Sequence, residues 1–539
     1  MDRSVAWQRL AEPVDVVVVG GGASGLGAAL EAASRGHRVA LFEARDFAQG
    51  TSSRSTKLVH GGVRYLSQGD LGLVREALRE RGRLLQNAPH VVGDLAFLVP
   101  AYDWWAGPYY GVGLKLYDVL AGKKHRFGKS ALVDREEVQR RIPTIETQGL
   151  RGGVVYHDGQ FDDARLAISL AHSAWDHGAA LLNHAPVTRL LQEDGRIRGV
   201  VVRDEVSGQE REIRAKVVVN ATGVWTDELR RMDSQTASAM VTPSQGVHLV
   251  LPRDFLPGDD ALMVPRTDDG RVLFAIPWMG RTLVGTTDTP IDEVSVEPRP
   301  LEEEIRFLLD HAARYLSRDP SREDVLCVFA GLRPLVRRPR EAGGQTSKVS
   351  RDHTVHVSAA GLVTVVGGKW TTYRKMGEDT IDRAEATGGL EQRASVTANL
   401  PLHGAPDSGH LPHGRLGERG VLSVYGTDAA AIEALIAERP ELGERLHPAL
   451  PYLAAEVIWA VREELARTLD DVLSRRTRAL LLDARASAEI ATRVASLMAG
   501  ELKQDAGWEA AQVEAYQALA NACLLGPVPT PDAPIAAPV

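Results

Sequence analysis

Three glycines near the amino terminus have the spacing of a dinucleotide-binding turn. Gly20, Gly22 and Gly25 fit the pattern G-x-G-x-x-G, in which the first glycine permits a tight turn. The second lets a pyrophosphate approach the backbone, and the third lets a helix pack closely on a strand. Glu43 follows about 20 residues later, where a carboxylate accepts hydrogen bonds from both ribose hydroxyls. These residues predict a dinucleotide site, and the acid at position 43 argues against a 2′-phosphate.

The segments around these glycines have the patterns that such a site needs. Residues 16–19 are a β-branched run that is typical of a strand buried on both faces of a parallel sheet. Residues 23–35 are rich in alanine and leucine at helical spacing, and residues 38–42 indicate a second strand. Strand, glycine turn, helix and strand predict a βαβ unit, with the phosphates at the amino terminus of its helix.

Composition sets the limits of what the chain can be. With 539 residues, of which 44% are hydrophobic, the chain is expected to form more than one domain. The net charge of −8 and the pI near 6.1 argue against a nucleic-acid partner. The two cysteines, Cys327 and Cys523, are too few and too far apart in sequence to predict a disulfide framework or a multi-cysteine metal site, so no metal is expected.

The amino-terminal residues lack the apolar stretch of a signal peptide, and no segment has the ~20 mostly apolar residues of a spanning helix. A cytoplasmic chain is therefore expected. Attachment to a membrane surface remains open.

A polar stretch follows the βαβ unit, from Asp46 to Asp70, and is rich in glycine, serine and threonine. Such a loop favours ligand binding, because its hydroxyl and N–H groups otherwise lack partners. It contains Gly50, Thr51, Ser52, Ser53, Lys57, His60, Gly61, Gly62, Arg64 and Tyr65. In type and order these residues resemble the second flavin-contacting segment of the FAD-dependent glycerol-3-phosphate dehydrogenases, a family related to the glycine and D-amino-acid oxidases.

Three later segments extend the resemblance. They are KVVVNATG, which ends in Ala221, Thr222 and Gly223; FAGLRPL, which carries Arg333; and TVVGGKWTTYRK, which carries Gly368, Lys369, Thr371 and Thr372. The resemblance covers about residues 14–385, and the C-terminal helices are also similar. It implies that FAD is bound by the glycine turn, Glu43, the polar stretch, the A-T-G segment and the G-G-K segment. No histidine or cysteine stands out as an attachment residue, so non-covalent binding is expected.

The resemblance also implies a fold. That fold is α/β, with a Rossmann-like FAD-binding domain of the glycine/D-amino-acid oxidase type, an antiparallel-sheet substrate domain and a C-terminal α-helical domain. Alternating segments at residues 247–251, 272–277 and 282–286 independently predict hairpins of an antiparallel sheet.

These patterns predict the following division of the chain. Residues 1–390 form a discontinuous FAD-binding domain in which approximately residues 75–155 and 225–335 form the substrate (cap) domain. Residues 391–416 are predicted as a linker, although a structured crossing fits them equally well. Residues 417–526 are predicted as helical, with one amphipathic helix running from Val457 to Leu473, and residues 527–539 as a disordered tail.

Five side chains are implied to bind the substrate or act on it: Arg64, Tyr65, His248, Arg333 and Lys369. Guanidinium groups bind phosphate through two parallel hydrogen bonds, which suits Arg64 and Arg333, and Tyr65 adds a hydroxyl donor. His248 is the first choice for the base, because an imidazole titrates near neutral pH. Lys369 is expected to stabilise negative charge, or to be the base itself.

The resemblance implies oxidation of sn-glycerol 3-phosphate to dihydroxyacetone phosphate, by hydride transfer to N5 of FAD, with electrons passed to a membrane quinone. An oxidase that uses oxygen and releases peroxide is the alternative. Amine oxidation is disfavoured because an amino acid needs only one cationic clamp, whereas Arg64 and Arg333 provide two. A non-catalytic flavin-bearing interaction protein would need no cationic pocket.

A basic, aromatic segment from Trp104 to Lys129 stands out in this acidic chain. Its aromatic residues are Trp104, Trp105, Tyr109, Tyr110 and Tyr117, and its basic residues are Lys115, Lys123, Lys124, Arg126 and Lys129. Such residues favour the headgroup region of an anionic leaflet, which predicts peripheral association with the inner face of the cytoplasmic membrane. An equal alternative is that the rings pack over the active site or in a dimer contact. The sequence leaves a homodimer open.

Overall fold

The computed structural model describes residues 1–62, 71–103, 106–121, 127–265, 267, 270–337, 353–406, 416 and 419–526. In this part of the chain the strands form two large sheets. The first contains the amino-terminal βαβ unit, and the second contains the predicted hairpins. The fold class predicted from the sequence is confirmed.

The βαβ unit forms as predicted, with bounds that differ by one or two residues. Its first strand is Val14–Val19, its helix is Ala23–Ser34 and its second strand is Val39–Phe42. The two strands pair in parallel, with Val16 opposite Val39 and Val19 opposite Phe42. Both strands are buried, apart from a half-buried Asp15, because sheet neighbours and helices cover both faces.

The first sheet has eight described strands. In spatial order they are Thr354–Val357, Leu362–Val366, Glu210–Asn220, Val14–Val19, Val39–Phe42 and Ala180–Leu182, with Val187–Glu193 and Arg196–Arg203 paired beside Glu210–Asn220. The strands that enter the A-T-G and G-G-K segments are therefore neighbours: Glu210–Asn220 pairs in parallel with both Val14–Val19 and Leu362–Val366. Carboxyl ends of parallel strands meet at one edge, which brings these segments to the glycine turn.

The second sheet has ten described strands. In spatial order they are Thr289–Pro290, Val241–Pro252, Arg281–Gly285, Leu273–Trp278, Ala261–Val264, Val92–Ala101, Gly152–Phe161 and Leu58–Val59, with Cys327–Val336 paired beside Val241–Pro252 and Ala131–Asp134 beside Gly152–Phe161. The hairpin at Met279-Gly280 is confirmed. Both residues have positive φ, of 45° and 74°, as a tight hairpin turn requires.

The described α-helices are Arg3–Arg9, Ala23–Ser34, Leu71–Asn87, Ala106–Ala121, Arg135–Arg141, Asp163–Asp176, Thr226–Asp233, Glu302–Ala313, Tyr373–Gly388, Ala429–Glu438, Ala454–Glu463, Ala479–Leu482, Ala484–Glu489, Ala491–Leu502 and Ala506–Ala522. The last six form the C-terminal helical domain. Within the described part of the chain, every helix is too short or too polar to traverse a lipid bilayer.

The prediction of one helix from Val457 to Leu473 is wrong. The helix ends at Glu463, and helical structure resumes at Leu469. Between them Leu465 has φ of +57°, a left-handed conformation that interrupts a helix. The preceding residue, Glu464, is buried and accepts hydrogen bonds at 2.8 and 2.9 Å from Arg165 of the first domain. The apolar residues before and after this break are both buried, so their spacing does not indicate one continuous helix.

The stretch predicted as a linker is described at residues 391–406 and at 416, and residues 391–406 pack against the first domain. Leu402 is buried, and its N–H donates to the carbonyl of Asn87 at 2.8 Å. The imidazole of His403 contacts carboxylates of Asp176 at 2.7 Å and Asp428 at 2.9 Å. These residues cross between the domains in ordered contact with both. The predicted tail, residues 527–539, lies outside the described residues.

The aromatic, basic segment is described in part. Tyr117 does not face a membrane: it is 1% exposed, and its hydroxyl donates to Asp158 at 2.8 Å. Lys115 and Lys129 are exposed. The remaining residues of the prediction lie outside the described residues or have side chains outside them: Trp104, Trp105, Tyr109, Tyr110, Lys123, Lys124 and Arg126. Tyr117 is therefore not part of an exposed aromatic surface.

Candidate active site

A cavity of about 550 Å³ lies between the glycine turn of the first sheet and the strands of the second. Its lining includes residues from every predicted segment that the structure describes. The predicted residues among them are Gly20, Gly22, Glu43, Thr51, Ser52, His60, Ala221, Thr222, Gly223, His248, Arg333, Gly368, Lys369 and Thr371. The structure thus brings together, around one space, residues more than 300 positions apart.

The glycine turn is crowded enough to require glycine. Gly20 has φ of +109°, and a β-carbon there would lie 2.6 Å from the carbonyl oxygen of Ala221. At Gly25 a β-carbon would lie 1.9 Å from the carbonyl oxygen of Gly20. Gly25 does not line the cavity: it lets the helix approach the strand, as its place in the motif predicts.

The glycine turn, the polar loop and Glu43 form a cradle around Gly22 at the start of the helix. Ser52 accepts a hydrogen bond from the N–H of Ala23 at 2.9 Å, so the polar loop is joined to the helix amino terminus. Glu43 accepts hydrogen bonds from the N–H groups of Gly21 at 2.6 Å and Arg45 at 2.9 Å. Burial raises the pKa of the Glu43 carboxyl, and these two donors oppose the rise. A glycine turn, a helix dipole and an acid at the next strand end fit an adenine dinucleotide.

Gly22→Val should reduce the FAD bound to purified protein by about tenfold or more. A β-carbon at this position would lie 3.0 Å from Ser52 Oγ, and the added methyl groups would enter the space that the pyrophosphate needs. Flavin absorbance per protein measures the effect. Gly82→Ala is the matched control, since its β-carbon meets nothing within 4 Å. Full flavin content in Gly22→Val would show that the phosphates bind elsewhere.

His248 lies on the second sheet at the wall of the cavity. The side chain is nearly buried, with 2% exposed. Its ring stacks on Phe329 with centroids 4.9 Å apart, and a β-carbon on Gly285, the residue opposite, would lie 2.2 Å from the ring. Its Nε2 atom is 2.9 Å from the hydroxyl oxygen of Thr56. Burial, helped by the charges of Lys57 and Arg333, holds the pKa of His248 well below 6.5, so the ring is neutral.

Arg333 reaches the same cavity from the neighbouring strand. Its guanidinium donates to the carbonyl of Gln245 at 3.2 Å, to the hydroxyl of Thr286 at 3.1 Å and to the carbonyl of Thr287 at 3.0 Å. The carboxylate of Asp288 lies 3.5 Å away. These contacts fix the orientation of a permanent positive charge at the cavity, which suits recognition of a doubly charged phosphate.

The G-G-K segment closes another side of the cavity. Gly367 and Gly368 have φ of +81° and +80°, a left-handed turn after the strand Leu362–Val366. Lys369 follows and lines the cavity, and the indole of Trp370 donates to the carbonyl of Ser52 at 2.9 Å. This segment is therefore attached to the polar loop. It holds an ammonium group at the cavity wall, where it can stabilise developing negative charge.

Some predicted cofactor residues do not line the cavity and lie behind its lining. These are Gly25, Ser53, Lys57, Gly61, Gly62 and Thr372. Lys57 is buried, and its ammonium donates to Asp163 and to the carbonyl of Ser53, both at 2.7 Å. The N–H of Gly61 donates to Asp158 at 3.3 Å. Arg64 and Tyr65 lie outside the described residues.

The residues that sequence reasoning missed include Thr56 in the cavity lining, and Asp163 and Arg478 behind it. Thr56 contacts His248, and Asp163 accepts hydrogen bonds from the backbone and hydroxyl of Ser55 at 3.1 and 2.7 Å. Arg478, from the C-terminal helices, is buried and donates to the carbonyl of Ser53 at 2.7 Å. Thr56 could have been found from the sequence, because its hydroxyl lies in the polar loop that was predicted to bind a ligand. No local pattern marks Asp163 or Arg478.

Comparisons with known proteins agree with this geometry. Residues 15–374 match the family described as FAD dependent oxidoreductase, and residues 395–512 match the C-terminal domain of alpha-glycerophosphate oxidase. The chain is 42% identical over 519 residues to the mitochondrial glycerol-3-phosphate dehydrogenase of Homo sapiens, which covers 91% of this chain and 71% of the human protein. A mitochondrial glycerol-3-phosphate dehydrogenase of Arabidopsis thaliana is 42% identical over 531 residues, which covers 92% of this chain and 84% of that protein.

Solved structures have a similar fold. The glycerol-3-phosphate dehydrogenase of Bacillus halodurans, solved with FAD, has a TM-score of 0.79 at 28% identity and covers 98% of both chains. The L-alpha-glycerophosphate oxidase of Mycoplasma pneumoniae, also with FAD bound, has a TM-score of 0.55 at 17% identity and covers 71% of this chain and 96% of its own. The second likeness concerns the fold alone.

Proposed function

Because the chain belongs to the FAD-dependent glycerol-3-phosphate dehydrogenase family, we propose that it oxidises sn-glycerol 3-phosphate to dihydroxyacetone phosphate at this cavity and passes the electrons to a membrane quinone. The observation that carries the proposal is the joint position of His248 and Arg333. A neutral imidazole and a fixed guanidinium line the same cavity as the dinucleotide cradle. This set can bind a phosphorylated alcohol and take the proton of its hydroxyl.

The roles of the side chains follow from their chemistry. FAD, when bound, supplies a hydride acceptor at N5. Arg333 binds the substrate phosphate, and Arg64 and Tyr65 are proposed to complete that site. His248 removes the hydroxyl proton, since its ring is neutral and buried. Lys369 stabilises negative charge on the substrate oxygen, and it is the alternative base if His248 is not used.

The function is tested by anaerobic titration of the purified yellow protein with sn-glycerol 3-phosphate. The flavin absorbance band should bleach with a stoichiometric amount of substrate and yield dihydroxyacetone phosphate. Glycine and other amino acids should leave the band unchanged. Bleaching by an amino acid, or by no phosphorylated polyol, would contradict the proposed substrate.

The electron acceptor needs a separate measurement. A quinone-linked enzyme should reoxidise its reduced flavin with a soluble quinone analogue in the absence of oxygen. An oxidase should instead release one equivalent of hydrogen peroxide per turnover in air. The two results distinguish the proposed acceptor from the alternative.

We further propose that the enzyme docks peripherally on the inner face of the cytoplasmic membrane. Exposed apolar and basic side chains on two contacting elements support this surface: Val119, 74% exposed, and Lys115 lie on Ala106–Ala121, and Leu132, 58% exposed, lies on Ala131–Asp134, with Lys129 just before it. Apolar insertion and basic attraction together favour binding to an anionic leaflet.

Replacing Val119 and Leu132 together with serine should reduce co-sedimentation with anionic liposomes by about tenfold, since each buried CH₂ group contributes about 0.8 kcal/mol. Activity with a soluble dye acceptor should persist. Val206→Ser, on a loop of the first domain and also exposed, is the matched control. Undiminished liposome binding in the double variant would place the docking surface elsewhere.

A further inference from the structure

We propose that Thr56 is a further catalytic residue, whose hydroxyl carries the substrate proton to His248. The proposal rests on the function proposed above, since it concerns the proton that leaves the substrate alcohol. Thr56 belongs to the polar loop, lines the cavity and is only half-buried, whereas His248 is 2% exposed. The hydroxyl is therefore the more accessible of the two groups.

The surroundings of the imidazole leave few paths for a proton. Phe329 covers one face of the ring, and the backbone at Gly285 leaves no room for a side chain beside it. Nδ1 of His248 is buried, and among the described residues it has no hydrogen-bond partner. Nε2 is 2.9 Å from Thr56 Oγ1. The threonine hydroxyl is thus the group that connects Nε2 to the cavity.

The loop holds this hydroxyl in place from both sides. The N–H and hydroxyl of Ser55, before it, both donate to Asp163. The ammonium of Lys57, after it, donates to the same carboxylate oxygen at 2.7 Å. Arg478 donates to the other oxygen of Asp163 at 3.1 Å. Because Asp163 is buried and fixed by these donors, the position of Thr56 opposite His248 is fixed as well.

The proton transfer balances without any additional reactant. In the resting state the ring carries its proton on Nδ1, and the hydroxyl of Thr56 donates to Nε2. The O–H bond of the substrate alcohol breaks, its proton forms a new O–H bond on Thr56, and the former hydroxyl proton of Thr56 forms an N–H bond on Nε2. The electron pair of the broken bond becomes the second carbon–oxygen bond, and the hydride that leaves the carbon would be accepted by the flavin of the proposed function. Thr56 is unchanged, and His248 ends as an imidazolium.

The test compares Thr56→Val, which has the shape of threonine without its hydroxyl, with Thr56→Ser, which keeps the hydroxyl. In anaerobic stopped-flow experiments Thr56→Val should reduce its flavin on the order of 10²-fold more slowly, with FAD content and substrate Kd close to those of the unaltered protein. Thr56→Ser should restore most of the rate. Thr56→Ala should behave like Thr56→Val, which keeps the test valid if valine disturbs folding.

Two further measurements separate a relay from a packing role. A proton inventory in mixtures of H₂O and D₂O should show two transferred protons in the unaltered enzyme. In ¹⁵N-histidine spectra, with His248 assigned through His248→Asn, the Nε2 resonance should shift in Thr56→Val because it loses its hydrogen bond. This readout does not depend on turnover.

An unchanged rate in Thr56→Val, an unchanged Nε2 resonance, or equal losses in Thr56→Val and Thr56→Ser would each overturn the relay. A failure of the proposed function looks different. In that case the unaltered, FAD-loaded protein would itself not be reduced by sn-glycerol 3-phosphate.

Discussion

His248→Asn should lower the rate of flavin reduction by sn-glycerol 3-phosphate by about 10²–10⁴-fold while the protein keeps its FAD. Asparagine has nearly the same reach and can still accept a hydrogen bond from Thr56, but its amide does not take up a proton near neutral pH. Anaerobic stopped-flow absorbance measures the rate directly. An unchanged rate would move the base role to Lys369, and Lys369→Met measured in parallel would then show the larger loss.

The pH dependence of the same rate gives an independent check on His248. A base works in its neutral form, and burial holds the pKa of this imidazole well below 6.5. The rate should therefore stay constant from pH 8 down through pH 6.5 and fall only in more acidic solution. A decline that begins above pH 7 would contradict a buried imidazole base.

Arg333→Ala should weaken binding of sn-glycerol 3-phosphate by several kcal/mol, on the order of the ~2–5 kcal/mol lost when one partner of a buried charge pair is removed. The phosphate would lose the guanidinium that is held by Gln245, Thr286 and Thr287. Substrate Kd from flavin spectral changes measures the loss. Arg333→Lys should recover part of the binding, because it keeps the charge without the planar fork.

Free glycerol separates a phosphate-binding role from a structural one. Its rate should change little in Arg333→Ala, since it carries no phosphate. Equal losses for glycerol and its phosphate would mean that Arg333 only supports the sheet, through its contacts with the neighbouring strands.

The sequence predicted best where neighbouring residues decide the structure. The strand and helix around Gly20 came within two residues of the observed bounds, because β-branched runs, glycine spacing and helical periodicity act over a few positions. The hairpin at Met279-Gly280 followed for the same reason. The two turn residues themselves determine the turn geometry.

Prediction failed where contacts with residues far away in sequence determine the local structure. The helix through Leu465 was expected to continue, since its apolar spacing does not report that Glu464 pairs with Arg165, 299 positions away. For Tyr117 the sequence left a membrane surface and a packed position equally open, because its burial by Asp158 and the loop at Gly61 depends on distant residues. Thr56 and Arg478 were missed because their roles exist only after the chain has folded.

Three buried arginines of the C-terminal helical domain contact the first domain, which affects the order of chain synthesis, folding and flavin binding. Asp46 is buried against Arg475 and Arg476, and the carbonyl of Ser53 is held by Arg478, 425 positions later. A nascent chain thus finishes its glycine turn long before the partners of the neighbouring loop leave the ribosome. Until then a buried carboxylate lacks its counter-charges, which costs several kcal/mol. We therefore expect stable flavin loading to await completion of the polypeptide, so that chains ended before Arg475 should purify with less flavin than the full chain.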